Sequence, residues 1–153
     1  MRRRIAHLSD LHFGRTDRAA VAALGETLAA LAPDLVVVSG DLTQRARHAE
    51  FRAARAFLDA LAASWLAVPG NHDVPAWQVW ERFGDPFRRW RRWIAPTTEP
   101  DWHDGVLAVA GVNTARRLWL TTLDWSHRRI AHRQMDRLAA RFARMAPAKL
   151  RVV

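Results

Sequence analysis

Residues 35–41 read Leu-Val-Val-Val-Ser-Gly-Asp, an apolar run that ends in a glycine and an acid. The apolar part is short, β-branched and hydrophobic on both faces, which is typical of a buried strand in a parallel sheet. Gly40 permits a tight turn, so Asp41 is expected at the carboxyl end of this strand. Ligands of open α/β sheets bind beyond the carboxyl ends of the strands, so Asp41 is a candidate site residue.

Strands and helices alternate on both sides of this run. Asp17 is placed to cap the first helix, and Gly84 and Pro86 are expected to break the third. Phe51 and Leu58 belong to an apolar stripe on the second helix, and Met135 and Leu138 are expected to face inward from the last helix. The polar stretch 96–104 is predicted as a loop. The patterns predict strands over 4–9, 35–38, 65–68, 106–112 and 150–153, and helices over 17–31, 47–62, 76–93 and 127–145. This alternation favours an α/β fold with a largely parallel sheet covered by helices.

Polar residues also follow the first and third strands. Asp10 and His12 come after the first, and they are two apart, so an extended backbone would point them the same way. Asn71 follows the third strand and offers an amide oxygen. Imidazole, carboxylate and amide oxygen together suit Mn, Fe, Zn or Mg. We therefore predict that Asp10, His12, Asp41 and Asn71 hold two divalent ions, which clamp the oxygens of a transferring phosphoryl group.

His72 and Asp73 complete the third strand end. An imidazole at this edge can protonate a leaving alkoxide, and we expect Asp73 to orient its ring. His72 and Asp73 are thus the candidate catalytic residues.

Asp10-x-His12, Gly40-Asp41 and Gly70-Asn71-His72-Asp73, in this order and each after a strand, resemble the motifs of calcineurin-like metallophosphoesterases. The sequence around these motifs, residues 8–14, 39–43 and 68–73, is similar to the corresponding sequence of the bacterial class III cyclic-nucleotide phosphodiesterases. The resemblance implies a four-layer αββα sandwich. It also implies a metal-dependent phosphodiesterase acting on a small nucleotide, such as a cyclic nucleotide.

The resemblance further implies a role for each matching residue. Asp10 and His12 would bind the first metal, and Asp41 would bridge both metals. Asn71 would bind the second metal and help to bind the substrate phosphate. His72 would donate a proton to the substrate or stabilise the transition state, supported by Asp73, while a metal-bridging hydroxide attacks phosphorus.

The sequence departs from the family downstream. The family has a histidine after the next core strand and then a Gly-His-x-His motif, and neither occurs here. Residues 150–153 resemble the strand before that histidine. We therefore expect residues 1–153 to be a single, C-terminally truncated domain that lacks the cover of one sheet face, binds metal weakly and has little or no turnover. The remaining histidines are expected to be structural or solvated: His7, His48, His103, His127 and His132.

Composition bounds the remaining possibilities. The 153 residues are 50% hydrophobic and 25% charged, which excludes intrinsic disorder as the main interpretation. Cysteine is absent, which excludes disulfides, thiolate metal sites and cysteine nucleophiles. No apolar run is long enough to span a membrane, and the basic start lacks the apolar stretch of a signal peptide, so we expect a cytoplasmic protein.

The net charge is +9. An arginine-favouring genome and attraction to phosphate-bearing partners both explain it. Residues 87–93 interleave arginine with aromatic residues, as a nucleic-acid or membrane patch would, but we favour a cap helix with Trp90 and Trp93 inward. Arg116 and Arg117 follow a strand end and are weaker candidates for contacting substrate phosphate.

The alternative functions are a nuclease or a nucleotide-sugar or lipid pyrophosphatase of the same family, and a non-catalytic basic module that binds nucleic acid.

Overall fold

Two three-stranded sheets form the centre of the computed structural model, which describes residues 2–75, 79–115, 132–145, 148 and 150–153. The first sheet is parallel and contains, in this order, β1 (Ile5–Leu8), β2 (Leu35–Ser39) and β3 (Ser64–Val68). The second contains, in this order, β4 (Asp101–His103), β5 (Leu107–Ala110) and β6 (Leu150–Val152). Strand β5 runs antiparallel to β4 and parallel to β6, so this sheet is mixed.

Five helices occur among the described residues: α1 (Arg18–Leu31), α2 (His48–Asp59), α3 (Val79–Gly84), α4 (Arg88–Trp93) and α5 (His132–Arg144). The side chain of Asp17 accepts hydrogen bonds from the first turn of α1, which confirms the predicted cap. The predicted helix over 76–93 is divided into α3 and α4, which confirms the break near Gly84 and Pro86.

One face of the first sheet packs closely against helices. Val36 and Val38 of β2 belong to the same buried cluster as Phe51 and Leu58 of α2, and all four side chains are fully buried. Trp90 of α4 is also fully buried in this cluster, which confirms its predicted inward position. We call this the helix-facing layer, and it holds most of the apolar core.

The opposite face of the first sheet packs against the second sheet. Leu35 and Leu66 meet Leu107 and Val109 of β5 in a smaller buried cluster. The expectation that this face lacks its cover is therefore wrong in part, because β5 and its neighbours already pack there. A cavity of about 530 Å³ remains between the sheets. Because α5 contacts β5, the layers follow the expected αββα order.

Two further predictions are wrong. The segment 96–104 contains β4 and so is not a loop throughout, because Trp102 pairs with Val109 and packs on the inter-sheet cluster. Met135 was predicted to face inward but is 51% exposed, whereas Leu138 is buried as predicted. The part of the predicted last helix over 127–131 lies outside the described residues. No helix in the described part of the chain is both long and apolar enough to cross a membrane.

Candidate metal centre

Three side chains from three different strand ends converge. His12 follows β1, Asp41 follows β2 and His72 follows β3, and one donor atom of each lies within 4.8 Å of the others. The rings of His12 and His72 meet edge to face with centroids 4.8 Å apart. The backbone N–H of His72 donates to Oδ1 of Asp41 at 2.9 Å. The parallel sheet thus brings together residues 60 positions apart in sequence, as a strand-end site requires.

The loops after β1 and β2 are held in an unusual backbone conformation. Asp10, His12 and Asp41 all have positive φ angles, at 56°, 46° and 54°. Such angles are uncommon for residues other than glycine and concentrate at functional sites. The prediction that an extended backbone aligns Asp10 with His12 is therefore wrong in its geometry. Their side chains still meet, with Asp10 Oδ1 3.7 Å from His12 Nε2.

Gly40 and Gly70 are needed here for different reasons. Gly40 has a φ of +96°, which favours glycine. A Cβ atom on Gly70 would lie 2.1 Å from Oδ1 of Asp41, so this position requires glycine because space is lacking. The close approach of the two loops places the backbone N–H of His72 against the Asp41 carboxylate.

Asp73 joins the loop after β2 to the loop after β3. Its carboxylate is fully buried and accepts hydrogen bonds from the N–H groups of Gly70, Leu42 and Thr43, and from the Thr43 hydroxyl. The four donor–acceptor distances lie between 2.8 and 3.2 Å. Burial raises the pKa of the Asp73 carboxyl to about 6, although these hydrogen bonds act to lower it.

The predicted contact between Asp73 and the His72 ring is wrong. Both Asp73 oxygens are used by loop N–H and hydroxyl groups, so neither orients the imidazole. The ring is held by the main-chain carbonyl of Gln44, 2.9 Å from His72 Nδ1. Sequence reasoning missed Gln44 because a main-chain acceptor leaves no signature in residue type.

The remaining candidates lie at the margin or elsewhere. Asp10 stays outside the group of three donors, and its side chain is 63% exposed. Asn71 is exposed and lines the inter-sheet cavity. His7 faces the same cavity, and its Nε2 lies 2.7 Å from the Ser39 hydroxyl. Arg116, Arg117 and His127 lie outside the described residues.

Comparison with known families supplies the context for this geometry. Residues 3–141 match the calcineurin-like phosphoesterase family. The chain belongs to this family. The family match supports the fold and the three strand-end motifs together, because it includes every candidate residue from Asp10 to Asp73.

Relatives of known name match shorter parts of this calcineurin-like phosphoesterase. A glycerophosphodiester phosphodiesterase (GpdQ) from Enterobacter lignolyticus is 39% identical over 83 residues, 47% of this chain and 30% of that protein. A probable cyclic nucleotide phosphodiesterase from a Synechococcus species is 32% identical over 80 residues, 46% of this chain and 31% of that protein. The matched part is therefore less than a third of each relative's length. Phosphopantetheinyl hydrolase from Mycobacterium tuberculosis aligns over 95% of this chain and 52% of its own, with a TM-score of 0.47 and 19% identity.

The donors of this calcineurin-like phosphoesterase fit a divalent cation. Two imidazoles and one carboxylate form the group of three, a set that suits Mn, Fe or Zn. The Nδ1 atom of His12 is buried and has no hydrogen-bond partner among the described residues. Buried polar atoms are nearly always satisfied, so this orphaned nitrogen is consistent with a metal ligand.

Proposed function

We propose that this chain carries the metal-binding loops of a metal-dependent phosphodiester hydrolase. The convergence of His12, Asp41 and His72 at the carboxyl ends of parallel strands carries the proposal. In this proposal Asp10 and His12 would hold one divalent ion, Asp41 would bind both ions, and Asn71 would bind the second ion and the substrate phosphate. The names of the two relatives, both phosphodiesterases, support a diester as substrate.

The bound cations would supply Lewis acidity toward the phosphate oxygens and toward the attacking water. The chain supplies the rest. A carbonyl oxygen can only accept, so His72 Nδ1 carries the hydrogen in its contact with Gln44. In this proposal His72 is a proton donor and not a metal ligand, and the atom that would deliver the proton to the leaving oxygen is Nε2. Asp73 fixes the loops beneath this ring and acts as a positioning residue.

A small nucleotide, such as a cyclic nucleotide, is our first candidate substrate. It is supported by the residues in and around the three strand-end motifs and by one relative's name. A nucleic-acid strand is the second candidate. It is favoured by the exposed arginines on α2 and α4.

The proposal is tested by Mn²⁺ titration calorimetry on the purified chain. Asp41→Asn removes a carboxylate from the centre, and we expect at least about a tenfold loss of Mn²⁺ affinity, as is typical of changes at metal sites. Asp136→Asn removes an exposed carboxylate on α5 and should leave the affinity unchanged.

Hydrolysis of bis(p-nitrophenyl) phosphate with Mn²⁺ provides the second measurement. Turnover by the 153-residue chain is expected to be low, and whatever is measured should vanish in Asp41→Asn. Mn²⁺ affinity or turnover that survives Asp41→Asn unchanged would contradict the proposal.

A further inference from the structure

The outer surface of α2 and α4 carries three exposed arginines that lack an acidic partner among the described residues, and a fourth that has one distant partner. Arg52, Arg88 and Arg92 are exposed, and no carboxylate in the described part of the chain forms an ion pair with them within 4.0 Å. Arg47 has only Glu50 at 4.0 Å, and its side chain is 64% exposed. We call these four residues the arginine face. Unpaired, exposed guanidinium groups are free to bind phosphate, often through two hydrogen bonds each.

Tryptophan rings lie within and beside the arginine face. The guanidinium carbons of Arg52 and Arg92 lie 5.9 and 5.3 Å from the ring centroid of Trp93. The Trp93 N–H donates to His48 Nδ1 at 2.8 Å, which fixes the ring in place. Trp80 of α3 is 91% exposed, a rare state for so large an apolar side chain.

Helix α3 is tied to the arginine face by an ion pair. Glu81, next to Trp80, pairs with the buried Arg89 of α4 at 2.7 Å. Trp80 therefore lies on a helix that an ion pair links to α4, the helix that carries Arg88 and Arg92.

The charges of nearby arginines act on His48 at this surface. The pKa of His48 is lowered, first by partial burial and then by the charges of Arg89, Arg92 and Arg52. Glu81 acts in the opposite direction but does not reverse the shift. An anionic ligand near His48 would therefore be attracted.

The arginine face adjoins the metal centre through one loop. Gln44 holds the His72 ring by its carbonyl, and Ala46 accepts a hydrogen bond from Arg89 Nη1 at 2.8 Å. Arg47 is the next residue and begins the arginine face. Only a few residues thus separate the proposed reacting centre from the cationic surface.

We propose that the arginine face binds single-stranded nucleic acid, with phosphates on its guanidinium groups and bases against Trp93 and Trp80. Cationic surfaces with aromatic side chains bind single strands in this way, because every base has a face that can stack. A strand held here would lead toward the metal centre, and this last step alone rests on the proposed function.

An anionic membrane is the less favoured partner. Surface-bound helices insert an apolar face, with several large hydrophobic side chains together. On this surface only Trp80 is both large and exposed among the described residues. The other exposed large hydrophobic residues lie on α1, α5, β6 and the C-terminal residue: Leu31, Met135, Leu150 and Val153.

Fluorescence anisotropy with a labelled 15-residue oligo(dT), in EDTA, tests the proposal. Arg52→Gln/Arg92→Gln should weaken binding about tenfold or more and reduce the slope of log affinity against log salt by about 1.4, since each phosphate contact contributes about 0.7 for single strands. Arg133→Gln/Arg137→Gln removes the same charge from exposed positions on α5 and should change the affinity less than about twofold.

Trp80→Ala provides a variant that does not disturb the core, because this side chain is almost fully exposed. We expect about a fivefold or greater loss of oligo(dT) affinity, the lower end of what one stacked base contributes. Equal losses in the two arginine pairs, or no loss in the arginine-face pair and in Trp80→Ala, would overturn the proposal. So would binding to phosphatidylserine vesicles that depends on Arg52 and Arg92 while oligo(dT) does not bind.

The same samples separate this inference from the proposed function. Asp41→Asn should retain oligo(dT) binding in EDTA, because the arginine face is outside the metal centre. If Mn²⁺ binding proves independent of Asp41 while oligo(dT) binding depends on the arginine face, the proposed hydrolysis fails and the binding surface stands. If oligo(dT) does not bind while Mn²⁺ binding depends on Asp41, the reverse holds.

Discussion

The two faces of the first sheet are packed very differently. Among the described residues, the helix-facing layer buries twelve in one apolar cluster, including Phe51, Leu58 and Trp90. The face toward the second sheet buries four in its cluster and leaves a cavity of about 530 Å³. The candidate metal centre lies at the edge where both faces end. The loops after β2 and β3 are joined there by hydrogen bonds to the buried Asp73 carboxylate.

The largest expected effect tests this contrast directly with a matched pair of leucines. Leu58→Ala in the helix-facing layer should destabilise the fold by about 4 kcal/mol, because the fully buried site cannot collapse. Leu66 already lines the cavity, so Leu66→Ala should lower the free energy of unfolding by about 2 kcal/mol, near the lower end for buried leucine. Urea unfolding measures both. Equal losses would show that the two faces contribute alike.

The next effect concerns the loops where the two faces end. Asp73→Asn places an amide NH₂ against donors that now meet a carboxylate, and we expect a loss of about 3 kcal/mol. Asp10→Asn changes an exposed side chain at a backbone angle that asparagine tolerates, and should change stability by less than about 0.5 kcal/mol. Thermal and urea unfolding of the two variants provide the measurement. A similar stability for both would mean that Asp73 does not hold the loops.

A pair of glycines gives effects of opposite sign. Gly70→Ala would force a methyl group against Asp41, and we expect a loss of about 2 kcal/mol together with weaker Mn²⁺ binding. Gly25→Ala, in α1, meets nothing within 4 Å and should stabilise the helix-facing layer by about 0.5–1 kcal/mol. Urea unfolding and Mn²⁺ calorimetry follow both changes. A stable Gly70→Ala variant with normal Mn²⁺ affinity would contradict the close approach of the loops.

The smallest effect lies on the outer surface of the helix-facing layer. The pKa of His48 is lowered by partial burial and by nearby arginines, so the unfolded chain takes up a proton before the folded one. The contribution of His48 to the free energy of unfolding is therefore fully present above pH 6.5 and decreases as the pH falls below that value. Arg92→Gln should raise the pKa of His48 in an NMR titration. Arg137→Gln, on α5, should leave it unchanged.

Local patterns were sufficient to predict most elements. The β-branched run before Gly40 predicted β2, and the apolar stripe with Phe51 and Leu58 predicted α2, because burial follows period and residue type. Strand β4 was missed, since three residues in a polar stretch carry no clear alternation and form a strand only by pairing with β5. The assignment of the whole chain to one domain, and the roles of Asn71 and Asp10, stay predictions.

The sequence by itself determined which chemical groups follow each strand, because strand ends and turn glycines are local features. That is why Asp41 and His12 were predicted near one another, from their positions after two strands of a parallel sheet. Only the tertiary structure decided how those groups are held: Asp73 binds the loops rather than the ring, and the Gln44 carbonyl orients His72. These contacts join residues about 30 positions apart, and main-chain donors and acceptors are present at nearly every residue, so residue type cannot identify the pairs.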